Sequence, residues 1–407
     1  MTKTSHDRST LSGLTRRTLL ASGTTAVGLS LAPKGIFAPA IAQAKPIRIG
    51  VLAPLSGVYS SLGTNNTNGM KMFLAEQKMS VEGTPIELII EDEGNPQEGL
   101  RKARKLVEQD NVDVLLGVIN SAIGYALKEY VNRAKRVWVT TGVGADGAFK
   151  KANNSPYAFR ASESVSQACG PMGTWLAGKG YKRVFVSGPD YAMGREAIVA
   201  FETTFKVGGA ERVGEVFAPL GTSDFAPYLA EIKRANPDVV FVSYAGSDAV
   251  RFVQQFVAFG LQNSIKLAGY GYLTAENILE AQGPAALGIY TCLNWAYGIN
   301  TPANKTFVAN YRKQFNSVPS IDSAVGYVGA QVVWQAIKKL GGKIPDQEVL
   351  SKAILETKID TLRGPISFDP DTRNLIQNIY IREVVKEGSE FHNRVLATYE
   401  AVRDPGI

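Results

Sequence analysis

The 407-residue sequence contains only two histidines and two cysteines. His6 lies in an N-terminal segment that we predict to be removed, which leaves His392 as the single histidine. One histidine argues against a histidine-ligated metal site and against Ser-His or Cys-His catalysis. Cys169 and Cys292 could pair in an oxidising compartment, but two cysteines give no disulfide framework. We predict that they are two small buried side chains.

Motifs of the common enzyme classes are also absent. The loop after the first predicted strand reads Gly50-Val-Leu-Ala-Pro-Leu-Ser-Gly57, without the GxGxxG of dinucleotide-binding folds. The sequence has no P-loop, GxSxG, HExxH or CxxC motif, and no acidic pair stands out for carboxylate chemistry. We therefore predict a protein that is not an enzyme, with no catalytic residues, no metal ligands and no cofactor.

The N-terminus has the pattern of an export signal. Arg16 and Arg17 precede a mild apolar segment, Leu19–Leu31, and Ala42-Gln43-Ala44 is a small-x-small cleavage site. A membrane-spanning helix is the alternative, but about a dozen apolar residues are too few to cross ~30 Å of hydrocarbon. We predict a twin-arginine signal over residues 1–44, cleaved after about Ala44, and a periplasmic mature protein.

The net charge of the chain is small once residues 1–44 are removed. Residues 1–44 hold five of the 44 basic and one of the 37 acidic residues, so the net charge falls from +7 to +3. This argues against a nucleic-acid partner. No later stretch reaches 18 apolar residues, so no further membrane span is predicted. About 360 residues suit two domains, and we expect a monomer.

Short β-branched runs alternate with helical patterns along the mature chain. This order predicts an α/β fold of two doubly wound, mostly parallel sheets, with a restart of the pattern near Arg160–Ser164. We expect one lobe to hold residues 46–160 and 289–363, and the other to hold 161–288 and 364–407. Such a division implies three crossovers between the lobes, with a ligand cleft and a hinge between them.

Ligands of open parallel sheets bind in the loops at the carboxyl ends of the strands. The predicted loops are rich in Gly, Ser, Asn and Tyr, which suits a small carboxylate with an apolar body. Each residue also has a structural interpretation: Ser121 could cap a helix, and Arg160 could brace a hinge. The loop tyrosines could equally pack at the rim of a cleft; they are Tyr59, Tyr191, Tyr244, Tyr270 and Tyr272.

Several of these segments resemble one family. The stretch Ile49–Gly63 (IGVLAPLSGVYSSLG) and the more specific Glu91–Gly117 (EDEGNPQEGLRKARKLVEQDNVDVLLG) are similar to periplasmic solute-binding proteins of the branched-chain amino acid ABC transporter type, the Leu/Ile/Val-binding protein family. The resemblance continues in order through DYAMG at Asp190–Gly194, TSDFAPYL at Thr222–Leu229 and GPISFD at Gly364–Asp369. It spans essentially the whole mature chain.

The resemblance implies the type I periplasmic binding protein fold, a ligand held between the lobes, and docking on ABC permease subunits in the inner membrane. Together with four of the five loop tyrosines it gives the candidate ligand-binding residues: Tyr59, Ser60, Leu62, Asn120, Ser121, Ala122, Gly142, Val143, Gly144, Tyr191, Met193, Tyr244, Ala245, Gly246, Gly271 and Tyr272.

The sequence departs from the family where an amino-acid ligand would be held. Gly271 stands at the position that we align with the acid that holds the ligand ammonium. Gly144 and Met193 replace a hydroxyl residue and an aromatic residue, and the early disulfide of the family is absent at Gly94 and Asn120. An unpaired ammonium in a closed cleft costs about 1–3 kcal/mol or more. We therefore expect a ligand without an ammonium, such as an aromatic carboxylate or a branched keto acid.

Other interpretations remain at this point. Asp248 or Glu276 could reach the ammonium of a branched-chain amino acid from a shifted position. A ligand-sensing module of the same fold is the alternative to a transport protein, although no receptor domain is fused to the chain. A periplasmic enzyme is disfavoured because the catalytic motifs are missing.

Overall fold

The structure is a computed structural model that describes residues 45–406. The predicted export signal over residues 1–44 lies outside the described residues. Within the described range, no helix combines the length and the apolar character that crossing a membrane requires.

The first lobe is built on a six-stranded sheet. Its strands are β1 (Ile47–Ala53), β2 (Ser80–Val81), β3 (Thr84–Asp92), β4 (Val114–Gly117), β5 (Trp138–Thr140) and β6 (Ala158–Arg160). They lie in the order β2-β3-β1-β4-β5-β6, and all neighbours are parallel except the β2–β3 hairpin. The order of the strands reverses direction at β1, which places a topological switch point between β1 and β4.

Helices cover both faces of this sheet. They are α1 (Ser60–Glu76), α2 (Pro96–Arg104), which continues as a π-helical turn over Lys105–Gln109, and α3 (Ser121–Ala134). The neighbouring residues Leu115 and Leu116 of β4 belong to two different hydrophobic clusters, one on each face. Burial on both faces explains why the strands are continuous apolar runs and do not alternate with polar residues.

The second lobe contains nine strands. They are β7 (Arg183–Pro189), β8 (Glu211–Ala218), β9 (Val239–Val242), β10 (Lys266–Tyr270), β11 (Tyr290–Leu293), β12 (Lys358–Thr361), β13 (Gly364–Phe368), β14 (Leu375–Glu387) and β15 (Glu390–Val402). The order is β12-β13-β14-β11-β10-β9-β7-β8, with β15 paired to β14. Strands β7 to β11 are parallel, and the later strands add an antiparallel extension.

The remaining helices complete the layers. They are α4 (Val165–Gly178), α5 (Ala192–Phe205), α6 (Ala226–Ala235), α7 (Gly246–Ala258), α8 (Glu276–Gln282), α9 (Pro302–Phe315), α10 (Ile321–Lys339) and α11 (Gln347–Leu355). Helices α9 and α10 pack on α1 of the first lobe, as predicted for the late helices. The chain therefore passes three times between the lobes: after β6, after β11 and between α11 and β12.

Two of the predicted lobe boundaries are displaced. Residue 289 does not begin the return to the first lobe, because Tyr290–Leu293 pairs with β10 and β14 in the second sheet. The boundary between residues 363 and 364 divides a hairpin, because Lys358–Thr361 pairs with Gly364–Phe368. Sheet pairing across a crossover depends on residues far apart in the chain, so the local pattern did not reveal it.

The sequence pattern predicts a helix over Asn68–Gln77, but helix α1 begins eight residues earlier, at Ser60. Its first turns contain polar residues that are buried and satisfied at long range. Asn66 is fully buried, and its amide donates to the carbonyls of Thr141 and Asp322 over 3.3 and 3.1 Å. Because polar side chains face inward here, the sequence lacks the apolar stripe by which an amphipathic helix is recognised.

The two cysteines are free and buried, as predicted. Cys169 lies on α4 and Cys292 on β11, and their side chains are in contact. Burial and the neighbouring thiol of Cys292 together raise the pKa of Cys169. A thiol that is buried and protonated behaves as a small apolar group in the core.

Candidate functional site

A cavity lies between the lobes at the carboxyl ends of strands from both sheets. Only about 20 Å³ of it is accessible to a water molecule, so the two lobes pack tightly around it. The lining residues come from the loops and helix starts that follow β1, β4, β5, β7, β9 and β10; they are Tyr59, Leu62, Ile119, Gly142, Gly144, Tyr191, Met193, Ala245, Tyr270 and Tyr272. Both lobes therefore contribute to one site beside the switch point of the first sheet.

The loop between β4 and α3 reaches the cavity through a strained backbone. Gly117 and Val118 both have positive φ angles, of 100° and 70°. A β-branched residue rarely adopts this conformation, and such strain persists only where the surroundings enforce it. Glu93 provides part of that constraint, because its carboxylate accepts the N–H groups of Ile119 and Asn120 at 2.9 and 3.0 Å. Burial raises the pKa of Glu93 to about 7.

The N-terminus of α3 lies at one end of the cavity. Asn120 caps the helix by accepting the N–H of Ala122 at 2.9 Å, and the hydroxyl of Ser121 accepts the N–H of Ala145 at 3.2 Å. Within the described chain, the N–H groups of Ser121 and Gly144 donate to no protein acceptor. Unpaired N–H groups at a helix N-terminus favour a carboxylate.

Tyrosines of the second lobe form the opposite wall. Tyr270 shares a hydrogen bond with Oε1 of the buried Glu163. The hydroxyl of Tyr272 has no hydrogen-bond partner in residues 45–406, so it is free to face a ligand. Tyr244, in contrast, does not line the cavity; it is buried, and its hydroxyl lies 2.7 Å from that of Ser187.

Contacts between the lobes show a closed cleft. The hydroxyls of Tyr59 and Tyr191 share a hydrogen bond of 2.9 Å across it. Burial raises the pKa of Tyr59 to about 12, so both hydroxyls stay protonated at neutral pH. At Gly246 of the second lobe, an added Cβ would lie 2.7 Å from the carbonyl oxygen of Val58 in the first.

A second polar contact between the lobes lies beside the cavity. The carboxylate of Glu196, on α5, accepts the hydroxyl of Tyr125 at 2.8 Å and the N–H of Asp146 at 2.5 Å. The carboxylate of Asp146 in turn accepts the N–H and the hydroxyl of Ser166 at 3.1 and 2.6 Å. Burial raises the pKa of Asp146 to about 6, against the opposing effect of these hydrogen bonds.

The acids that could hold an ammonium are engaged elsewhere. Asp248 accepts the N–H of Gly221 at 2.8 Å and pairs with Arg251. Glu276 is fully buried, and it accepts the amide of Asn393 at 2.9 Å. None of the ten residues that line the cavity is acidic.

The position at which we expected the ammonium-binding acid does not face the cavity. A Cβ at Gly271 would lie 2.6 Å from the Cβ of Leu293 and 2.8 Å from the carbonyl of Cys292. A side chain there would therefore point into β11. Tyr270 and Tyr272, on either side of Gly271, are the residues of this loop that line the cavity.

The sixteen predicted ligand-binding residues, Gly271 included, fall into two groups. Eight line the cavity: Tyr59, Leu62, Gly142, Gly144, Tyr191, Met193, Ala245 and Tyr272. Eight adjoin it without lining it: Ser60, Asn120, Ser121, Ala122, Val143, Tyr244, Gly246 and Gly271. Among the described residues, no three His, Cys, Asp or Glu side chains form a group that could hold a metal ion.

Three residues of the site were missed from the sequence. Ile119 and Tyr270 line the cavity, and Glu163 lies behind Tyr270. The first two belong to predicted loops and follow directly from strand ends, so their positions could have identified them. Nothing in the local sequence marks Glu163, because its partner Tyr270 is 107 positions away.

The fold agrees with comparisons to known proteins. A family model described as periplasmic binding protein matches residues 46–389. A Leu/Ile/Val-binding protein homolog from Brucella melitensis is 30% identical over 378 residues, which cover 91% of this chain and 96% of that protein.

Solved structures show the same similarity. A solute-binding protein of an ABC transporter from Rhodopseudomonas palustris BisB5, in complex with 3,4-dihydroxybenzoic acid, is 35% identical with a TM-score of 0.85, and covers 89% of this chain and 99% of its own. Another from R. palustris, in complex with 4-hydroxybenzoate, is 29% identical with a TM-score of 0.84 over the same shares. The chain thus belongs to the periplasmic binding proteins of the branched-chain amino acid transporter type, solute-binding proteins of ABC transporters that are not enzymes.

Proposed function

We propose that this protein binds a small aromatic monocarboxylate in the periplasm and delivers it to an ABC importer. The observation that carries the proposal is the lining of the cavity, which has four tyrosines and no acidic side chain. An α-ammonium would find no charged partner there, and leaving it unpaired is costly. The R. palustris proteins with hydroxybenzoates bound support the same ligand class for this chain.

The geometry supports a specific orientation of the ligand. Its carboxylate would lie at the N-terminus of α3, against the free N–H groups of Ser121 and Gly144. Its ring would lie among the apolar side chains of Leu62, Ile119 and Met193 and the tyrosines of both lobes. Because the ligand contacts both lobes, it favours the closed form, and the permease subunits recognise that form.

The family implies a periplasmic location, and we propose that the twin-arginine signal over residues 1–44 supplies the export route. This route carries folded proteins, which is compatible with a core that needs no disulfide. We further propose that the protein is a monomer whose partners are the permease subunits of the importer. A ligand-sensing role for the same cleft is the alternative, and uptake of labelled ligand by cells lacking the protein distinguishes the two.

A thermal-shift panel tests the ligand class. Purified mature protein is heated with 4-hydroxybenzoate, benzoate, 2-oxoisocaproate, leucine or valine, each in large excess. A ligand that binds only the native state raises the apparent stability by about 2.7 kcal/mol at a hundred times its Kd. We expect stabilisation by the aromatic acids. Stabilisation by leucine and valine alone would overturn the proposal in favour of a branched-chain amino acid ligand.

A further inference from the structure

The hydroxyl of Tyr270 stands between the cavity and a carboxyl group buried behind it. Tyr270 lines the cavity, and its hydroxyl is hydrogen bonded to Oε1 of Glu163. Glu163 is 1% exposed, and its other oxygen, Oε2, has no hydrogen-bond partner among the described residues. Buried carboxylates normally satisfy both oxygens, so this one is poorly compensated for the loss of water.

Glu163 has several charged neighbours, but none of those within the described residues forms an ion pair with its carboxyl group. The titratable and charged groups that face it from the surrounding elements are Arg160, Cys169, Tyr270, Tyr272, Asp322, Arg363 and Arg382. None of them forms an ion pair with Glu163 within residues 45–406. Arg160 pairs with Asp404 at 3.3 Å, and Arg363 donates to Gln377 and to the carbonyl of Ala161, both at 2.8 Å.

Burial raises the pKa of Glu163, against the opposing effects of the Tyr270 hydrogen bond and of Arg363. A neutral carboxyl group has one O–H to donate. Since Oε2 has no acceptor nearby, the proton belongs on Oε1, from which it is donated to the hydroxyl oxygen of Tyr270. Tyr270 can then direct its own O–H into the cavity. With Glu163 ionised the direction reverses, and Tyr270 offers the cavity only lone pairs.

The hydroxyl of Tyr270 lies at the same end of the cavity as the N-terminus of α3. A Cβ added to Gly144 would lie 3.5 Å from this oxygen. Gly144 carries one of the two free N–H groups, and the bond from Ala145 to Ser121 ties its loop to the N-terminus of α3. A carboxylate held by these N–H groups is therefore placed to accept a hydrogen bond from Tyr270.

We propose that neutral Glu163 is a positioning residue that makes Tyr270 a hydrogen-bond donor to the ligand carboxylate, so that binding requires a proton on Glu163. The proposal rests on the proposed function, because it assumes a carboxylate ligand. The donor at Tyr270 makes the site select a carboxylate over an ammonium. A carboxylate gains a third donor, whereas an ammonium finds no acceptor at the same place and is rejected.

Isothermal titration of mature protein with benzoate, from about pH 6 to about pH 9, tests the proposal. Benzoate stays ionised over this range, so the ligand contributes no titration. We expect the Kd to rise about tenfold per pH unit above the pKa of Glu163, with uptake of up to about one proton per ligand. Glu93 and Asp146 have pKa values of about 7 and about 6, so they also titrate in this range. The contribution of Glu163 is therefore the difference between the pH dependence of the Kd in the wild type and that in Glu163→Gln.

Matched variants separate the role of the pair from a general structural role. Glu163→Gln keeps a donor toward Tyr270 at every pH. Its Kd for benzoate should therefore depend less on pH than the Kd of the wild type. Tyr270→Phe should bind benzoate about ten- to a hundredfold more weakly, because a donor to a charged group is lost. Tyr130→Phe is the control: the hydroxyl of Tyr130 bonds to Glu108 within the first lobe and Tyr130 does not line the cavity, so the affinity for benzoate and its pH dependence should be unchanged.

Each outcome decides between the two proposals. Binding of benzoate with no pH dependence and no proton uptake, or identical profiles for the wild type and Glu163→Gln, would overturn the role of Glu163 and leave the ligand class intact. If Glu163→Gln does not fold, proton uptake by the wild type and the affinity of Tyr270→Phe still decide the question. Failure of every aromatic acid to bind at any pH would overturn the proposed function, and this inference with it.

Discussion

The hydroxyl of Tyr59 in the first lobe lies 2.9 Å from the hydroxyl of Tyr191 in the second. Both side chains line the cavity, so the hydrogen bond between them closes one side of the ligand site. In the open form the two hydroxyls separate and are hydrated. The contact therefore belongs to the closed state, and its energy adds to the preference of the bound protein for closure.

Removing this contact should weaken ligand binding by accelerating release. We expect Tyr191→Phe to raise the Kd about two- to tenfold, because a net hydrogen bond contributes about 0.5–1.5 kcal/mol. Stopped-flow measurements with 4-hydroxybenzoate should assign most of this change to the dissociation rate. Tyr130→Phe is the matched control, because its hydroxyl bonds to Glu108 within the first lobe. An unchanged dissociation rate in Tyr191→Phe would show that the contact does not stabilise the closed form.

Glu196 should act on closure from outside the cavity. Its carboxylate bonds to Tyr125 and Asp146 of the first lobe but does not line the ligand site. We expect Glu196→Ala to weaken binding of every ligand by a similar factor, about threefold to thirtyfold, without changing selectivity. The control is Glu202→Ala on the same helix, because Glu202 pairs with Lys206 and Arg212 inside the second lobe. Ligand-dependent changes in Glu196→Ala would mean that it acts on the cavity itself.

Two glycines of the site should respond in opposite ways to substitution. A Cβ at Gly144 makes only contacts of 3.5 Å or more, with Tyr270, Val165 and Met193, so the fold should accept Gly144→Ala. The added methyl occupies the cavity beside the position that we propose for the ligand carboxylate, and we expect weaker binding of aromatic acids at unchanged Tm. Gly271→Ala places a methyl 2.6 Å from Leu293, so it should lower the Tm by several degrees.

Calorimetric scans and titrations of the two variants check this contrast. The expected pattern is a loss of affinity without a loss of stability in Gly144→Ala, and a loss of stability in Gly271→Ala. A large drop in Tm for Gly144→Ala, with benzoate affinity retained, would place the ligand away from this end of the cavity.

The sequence reveals the parts of the site that follow from strand order. Apolar runs such as Ile47–Ala53 identify buried strands, and the carboxyl ends of parallel strands meet at one edge. Tyr59 and Tyr191 could therefore be assigned to one cleft without knowledge of their distance. Each follows a predicted strand and precedes a predicted helix, so topology alone brings them together.

The sequence does not reveal the parts that depend on contacts across the crossovers. Glu163 bonds to Tyr270 because the first crossover passes behind β10, and no local pattern encodes that path. The direction of the Cβ at Gly271 depends on the pairing of β11 with β10. The same pairing is the reason why the lobe boundary predicted at residue 289 is wrong. The start of α1 could not be predicted for a similar reason. Asn66 is polar but faces inward, since its partners Thr141 and Asp322 are distant in the chain.

Glu93 should make the stability of the protein depend on pH in a defined window. Burial raises the pKa of this carboxyl from its ordinary value of 4.5 to about 7 in the folded protein. Between these values the unfolded chain loses the proton while the folded chain keeps it, so the free energy of unfolding falls as the pH rises. Below about pH 4.5 the contribution of Glu93 is fully present, and above about pH 7 it is lost. The difference is at most about 3 kcal/mol.

Glu93→Gln removes this titration while keeping an uncharged acceptor for one of the two N–H groups, those of Ile119 and Asn120, that bond to Glu93. Urea unfolding at several pH values should therefore show a free energy of unfolding that falls more steeply with pH in the wild type than in the variant. Glu129→Gln, on the exposed face of α3, should keep the wild-type slope. Parallel slopes for the wild type and Glu93→Gln would mean that this carboxyl is ionised throughout and that the loop before α3 is held by a charged acceptor.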